Sequence, residues 1–134
     1  MIIHYCINCW TEIAGDEKLC PKCGADQEEL RCESYVSKLI RALNHPEPNT
    51  CMRAAMILGN LRANDATAAL AKKLDPGTPP YLAAAAAEAL GEIGNDEAIR
   101  ILHNLYMDDL SIVVKVAAAH AFARAVKGHR KGRV

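Results

Sequence analysis

Residues 55–59 read AMILG, residues 87–91 read AEALG and residues 119–123 read AHAFA, so a related alanine-rich segment recurs every 32 residues. Ala66 and Leu70 recur in the same register as Ala98 and Leu102. A repeat of this period indicates a stack of supersecondary units, in which each unit covers the apolar face of its neighbour. The repeat therefore decides the fold, and the rest of the chain is interpreted around it.

The repeating unit is a pair of helices. The first helix of each unit ends at a polar or proline-bearing turn, at Asn44-His45-Pro46, Asp75-Pro76-Gly77 and Asp108-Asp109. An alanine-rich second helix follows, and Asn64 and Gly94-Asn95-Asp96 are suited to closing one helix and capping the next. The pattern predicts six helices, at 34–44, 49–62, 65–75, 80–93, 96–107 and 111–127. We therefore predict an all-α fold class, a short α-solenoid of about three helix pairs.

The repeat segments carry a resemblance to a known family. The stretches 53–59 (RAAMILG), 86–94 (AAEALGEIG) and 114–119 (VKVAAA) resemble HEAT repeats, in particular the short HEAT-like repeats first described in phycobilisome lyases. The resemblance covers residues 34–126. It departs in one respect, because the family's recurrent aspartate and valine-arginine survive only as Asp108 or Asp109 with Val114-Lys115. It implies a scaffold that binds other molecules, usually proteins, rather than one reaction.

Four cysteines precede the repeats as two Cys-X-X-Cys pairs, Cys6 with Cys9 and Cys20 with Cys23. Two such pairs can complete a tetrahedral shell of four thiolates that leaves no position open for substrate, so the spacing predicts a structural Zn²⁺ site. The pairs also resemble the knuckles of zinc-ribbon modules, although Trp10 stands where those modules usually have glycine. We assign residues 1–30 to a zinc ribbon that caps the N-terminal end of the stack, with Trp10 packed against the repeats.

Other uses of these cysteines stay open. A redox pair or two disulfides would also use Cys-X-X-Cys, but the βαβ context of thiol oxidoreductases is missing from the sequence. Iron can replace zinc in a four-thiolate site. Cys32 and Cys51 remain, and we expect them to be buried structural thiols. Six cysteines in a sequence without a leader-like or membrane-spanning segment are typical of a protein of the cytoplasm, a reducing compartment.

Charge is distributed unevenly along a chain whose formal net charge is zero. Residues 1–33 carry seven acids and three bases (−4), residues 34–123 nine and eight (−1), and residues 124–134 five bases and no acid (+5). We interpret residues 127–134, with Lys127, Arg130, Lys131 and Arg133, as a disordered basic tail. Contact of this tail and the ribbon with nucleic acid is the alternative function, although the ribbon's acidic turns at Glu12, Asp16 and Glu17 oppose a phosphate backbone.

The repeat alignment also selects a partner-binding face. Met56, Glu88 and His120 occupy equivalent positions on the second helices, and Asn60, Glu92 and Arg124 lie four residues later, on the same helical side. Polar side chains here interrupt otherwise apolar helices. A merely solvated face is the other interpretation, and the mixed chemistry favours a protein surface over a polyanion.

Catalysis is not predicted. The sequence contains no His-Glu dipeptide of the kind that holds iron in some HEAT-repeat enzymes, and no glycine-rich phosphate loop or nucleophile elbow. His103 and His120 stand alone in predicted helices. The expected protein is a non-enzymatic adaptor without membrane attachment or a small-molecule substrate.

Overall fold

The structure, a computed structural model, describes residues 3–15, 17–107 and 112–131. An antiparallel hairpin of β1 (Ile3–Tyr5) and β2 (Glu12–Ala14) comes first, with His4 opposite Ile13. The helices of these ranges are α1 (Gln27–Arg31), α2 (Tyr35–Ala42), α3 (Pro48–Asn60), α4 (Thr67–Lys72), α5 (Pro80–Ile93), α6 (Asp96–Met107) and α7 (Ile112–Lys131). The predicted all-α class and short helical solenoid are confirmed.

The predicted turn residues close and cap the helices. Pro48 and Pro80 occupy the first positions of α3 and α5, where the missing N–H has no intrahelical partner to lose. Gly94 ends α5 with a left-handed φ of 63°. Asn95 then accepts the N–H of Ala98 at 2.7 Å, and its amide donates to the Thr67 hydroxyl at 2.9 Å. This second bond ties the start of the third helix pair to the second.

The second helices α3, α5 and α7 pack against one another in sequence order, whereas the first helices contact one another only sparsely. The second helices therefore form one closely packed layer. Close approach depends on glycine, since a Cβ on Gly59 would lie 2.8 Å from the Cα of Ala89, and one on Gly91 would lie 2.8 Å from the Cα of Ala121. The seams are filled by fully buried leucines, at positions 43, 58, 70, 90 and 102.

Three details differ from the sequence prediction. Helix α1 was not predicted, and the helix expected at 65–75 is a 3₁₀ turn at Asn64–Ala66 followed by α4. We expected residues 127–134 to be disordered. This is wrong for residues 127–131, because α7 continues to Lys131. Buried Ala125 anchors this stretch, and lysine and arginine are good helix formers that favour a helix C-terminus. The predicted turn at Asp108-Asp109, Asp16 and residues 132–134 lie outside the described residues.

Candidate metal centre and binding face

The two Cys-X-X-Cys segments form matching turns. The N–H of Trp10 donates to the carbonyl of Cys6, and the N–H of Gly24 donates to that of Cys20, each at 2.9 Å. Each turn closes with a second backbone bond, from Cys6 to Thr11 and from Cys20 to Ala25. The same local geometry therefore presents two thiols from each segment.

Trp10 and Gly24 occupy equivalent positions in the two turns, and both are left-handed, with φ of 64° and 75°. The backbone at Trp10 is therefore unfavourable, because a side chain in this region costs about 1–2 kcal/mol. The indole lies against the ring of His45, with centroids 4.5 Å apart. As expected, the tryptophan packs the ribbon against the repeat stack.

The four Sγ atoms of Cys6, Cys9, Cys20 and Cys23 all lie within 4.8 Å of one another. Cys6 lies 3.6 Å from Cys23 and Cys9 lies 3.6 Å from Cys20, measured between sulfurs. A disulfide needs about 2.05 Å, so neither pair is bonded. Four sulfurs about 2.3 Å from a central tetrahedral ion are separated by about 3.8 Å. The cluster therefore fits a single metal ion.

Hydrogen bonds prepare part of the cluster for the thiolate form. Burial would raise the pKa of Cys6, but the N–H groups of Cys9 and Asn8 and the amide of Gln27 lower it to about 6. Hydrogen bonding with the Thr11 side chain lowers the pKa of Cys9. The N–H of Cys23 acts in the same direction on Cys20, but burial and the adjacent thiols outweigh it and raise that pKa. Four adjacent thiolates repel one another, and a bound dication removes this repulsion.

Gln27 supports the cluster from outside and was missed by the sequence analysis. Its side chain is buried, donates to the sulfur of Cys6 at 3.3 Å and to the carbonyl of Ala25 at 3.0 Å, and accepts the N–H of Ile7 at 3.0 Å. One amide thus joins both Cys-X-X-Cys segments. In the sequence, the one signal for this role is that Gln27 follows shortly after the second Cys-X-X-Cys segment, and that signal is weak.

The ribbon is also joined to the repeats by polar contacts. Arg41 of α2 donates to the side chain of Asn8 at 2.7 Å and pairs with Glu33 at 2.7 Å. Asn8 lies between the two cysteines of the first turn. A position between two of the candidate metal ligands is therefore fixed to the first repeat helix.

The structure brings together five of the six residues predicted to bind a partner. Met56, Asn60, Glu88, Glu92 and Arg124 line one groove of about 150 Å³ across α3, α5 and α7. Arg124 pairs with Glu92 across the α5–α7 seam. Met56 and Glu88 are exposed, and His120 is exposed but does not line the groove. We call the groove that these five residues line, together with small residues of α3 and α5, the inner groove.

The comparisons with known proteins agree with this architecture. A family model described as HEAT repeats matches residues 36–123, about two thirds of the chain. The chain belongs to the HEAT repeat family. The match is to HEAT repeats in general, so the narrower likeness to phycobilisome-lyase repeats stays a prediction. No match to this HEAT repeat protein is found among curated proteins. HEAT repeats are typical of protein-interaction scaffolds, and no helix among the described residues is long and apolar enough to cross a membrane.

Proposed function

We propose that this protein is a non-enzymatic scaffold that binds another protein through the inner groove, with a structural zinc ion in its N-terminal ribbon. The inner groove carries the proposal, because five of the six residues that the repeat alignment predicts to share one face line a single groove. A cytoplasmic location is part of the proposal. The absence of disulfide bonds among the six cysteines supports it, since all six are free thiols.

The size and chemistry of the groove favour a protein as the ligand. A volume of about 150 Å³ is smaller than the roughly 300–1,000 Å³ of pockets that enclose small molecules, but it accepts a side chain that projects from a partner. Exposed Met56 supplies apolar surface, and the carboxylate of Glu88 is exposed beside it. The Glu92–Arg124 pair satisfies its own charges. We infer a partner segment that places an apolar side chain next to a basic one.

Partner capture with matched charge reversals tests the groove. Tagged, zinc-loaded protein is used to capture partners from native lysate, with and without nuclease, as wild type, Glu88→Arg and Glu97→Arg. Glu97 is an exposed glutamate of α6, away from the groove, so it controls for the change in charge. If Glu88 is an interface hot spot, its reversal costs at least about 2 kcal/mol, and recovery of a specific protein falls roughly 30-fold.

Two outcomes contradict this part of the proposal. Equal recovery by wild type and Glu88→Arg would show that the groove is only a solvated surface. Loss of all captured material after nuclease would instead support the nucleic-acid alternative. Retention of helicity by circular dichroism is required of both variants, so that unfolding is not mistaken for lost binding.

Metal analysis of the purified protein tests the zinc assignment separately. Four sulfur ligands in a tetrahedron favour zinc or iron over harder cations. We expect one zinc per chain by elemental analysis, loss of that zinc in Cys6→Ser, and retention in Cys32→Ser, since Cys32 lies outside the cluster. One iron per chain would overturn the choice of metal, and a metal-free wild type would overturn the site.

A further inference from the structure

The ribbon and the repeat stack have separate apolar cores. In the ribbon the buried core consists of Cys6, Ile13 and Cys20, and two of these are candidate metal ligands. Leu39 and Leu43, at the start of the repeats, belong to the much larger core of the stack. A core of three side chains cannot hold a fold of about 30 residues by itself. The ribbon therefore depends on its metal ion for a defined structure.

The side-chain contacts that join the ribbon to the repeats come from the first Cys-X-X-Cys turn. Asn8 accepts from Arg41, and Trp10 lies against His45. The backbone of the turn is itself bonded to a metal ligand, since the N–H of Asn8 donates to the sulfur of Cys6 at 3.4 Å and the N–H of Trp10 donates to its carbonyl at 2.9 Å. The conformation that presents Asn8 and Trp10 to the repeats is therefore the one that presents the thiols to the metal.

Polar atoms are buried without partners at the same place. The Arg41–Glu33 ion pair lies beside the two contacts, and we call Asn8, Trp10, Glu33, Arg41 and His45 together the junction. Within the described residues, the buried side-chain nitrogen and oxygen atoms without a hydrogen-bond partner are Nε1 of Trp10, Oε2 of Glu33 and Nε of Arg41. Each of them opposes closure, because it loses hydration and gains no bond in exchange. The closed junction therefore needs a turn that is already fixed in the right conformation.

We propose that metal occupancy of the four-cysteine cluster controls docking of the ribbon on α2. With the ion bound, the first turn is fixed and holds Asn8 and Trp10 in the junction. Without the ion, the turn loosens, the junction opens and α2 loses the support of the ribbon. Coupling of this kind is reciprocal, so the junction must also strengthen metal binding by the same factor. The inference rests on the metal site of the proposed function and is independent of the inner groove.

Zinc affinity, measured by competition with a chromophoric chelator, tests the coupling from the repeat side. Arg41→Met breaks the junction without touching a ligand, and it should weaken zinc binding at least about 5-fold. Lys38→Met is the matched control, because it removes the same charge from an exposed position of α2, and it should bind zinc like wild type. Both variants must keep wild-type helicity by circular dichroism. Equal zinc affinity of Arg41→Met and wild type overturns the proposal.

Tryptophan fluorescence shows whether Arg41 acts through docking or only through its charge. Trp10 is the only tryptophan of the chain, so its emission reports the junction while zinc stays bound. At saturating zinc, Arg41→Met should emit at a longer wavelength than Lys38→Met, because the indole N–H becomes hydrated when the junction opens. A weaker zinc affinity with unchanged emission would show that Arg41 acts on the metal site by charge alone, and docking would not be coupled.

Hydrogen exchange of the wild type tests the coupling from the metal side without a substitution. On removal of zinc by a chelator, the amides of α2 should exchange at least about 5-fold faster, whereas those of α5, in the middle of the stack, should keep their rates. Zinc binding together with unchanged exchange in α2 overturns the coupling and leaves the metal site standing. A wild type that binds no metal overturns both.

Discussion

Replacing Gly91 by alanine should destabilise this protein, although the same change usually stabilises a helix by about 1 kcal/mol. The new Cβ would lie 2.7 Å from the Cβ of Ala121 and 2.8 Å from its Cα. Carbon atoms prefer about 3.5–4.0 Å, so α5 and α7 would have to separate by roughly 1 Å. Overpacking of this kind costs about 1–3 kcal/mol. We expect a net loss of up to about 2 kcal/mol after the gain of about 1 kcal/mol in helix propensity.

Gly128→Ala is the matched control, because Gly128 also lies inside a helix, α7, but has nothing within 4 Å of an added Cβ. It should gain about 0.5–1 kcal/mol. With an unfolding entropy of about 2.1 cal/mol/K per residue, 1 kcal/mol corresponds to roughly 3–4 °C in Tm for 134 residues. Thermal and urea unfolding, followed by circular dichroism, should move in opposite directions for the two variants. If Gly91→Ala is as stabilising as Gly128→Ala, the close approach of the second helices is wrong.

Three further changes test the ribbon and the remaining thiols. Gln27→Leu should release zinc to a chelator about 10-fold faster than wild type. Glu29→Leu changes an exposed position on the same helix and should release zinc at the wild-type rate. Equal release by the two variants would show that Gln27 does not support the site. Trp10→Ala should have a free energy of unfolding about 1 kcal/mol below that of Trp10→Gly, because both lose the His45 contact and only glycine relieves the left-handed backbone; the opposite order would contradict the strain. Burial raises the pKa of the Cys51 thiol, so the folded protein holds that proton more tightly than the unfolded chain. Its contribution to stability is complete below the ordinary thiol pKa of about 8.5 and is lost as pH rises through the raised value. Urea unfolding should therefore show less loss of stability above about pH 8.5 in Cys51→Ala than in wild type; parallel curves would contradict the shift. In the same pH range a thiol reagent should modify exposed Cys32 at once and Cys51 only on unfolding.

The sequence predicts most of this architecture because the deciding signals are local. Three kinds of local signal fix the backbone by their own chemistry. They are a pair of cysteines with two residues between them, a proline at the first position of a helix and a glycine after its last turn. The 32-residue register then transfers a position on one helix to its equivalents. This is how the inner groove could be selected before α3, α5 and α7 were placed side by side.

The missed features depend on contacts between distant residues. Gln27 is an ordinary polar residue until folding brings it beside the N–H of Ile7, 20 positions earlier. The expectation that Cys32 is buried is wrong, because it caps the short helix α1, which the sequence analysis did not predict. Cys51 is buried as expected, and its thiol donates to the carbonyl of His45 at 3.0 Å.

Close packing of the second helices limits the positions at which a side chain can change without loss of the fold. Each seam requires glycine facing alanine, and these positions cannot change without separating the helices. Side chains that project from this layer of helices are therefore confined to a few places per repeat, those of Met56, Glu88 and Arg124 among them. Substitution there alters the chemistry of the groove at little cost to the fold, because exposed positions contribute little packing. If the inner groove binds a partner as proposed, its side chains can therefore change that specificity while the seams stay intact.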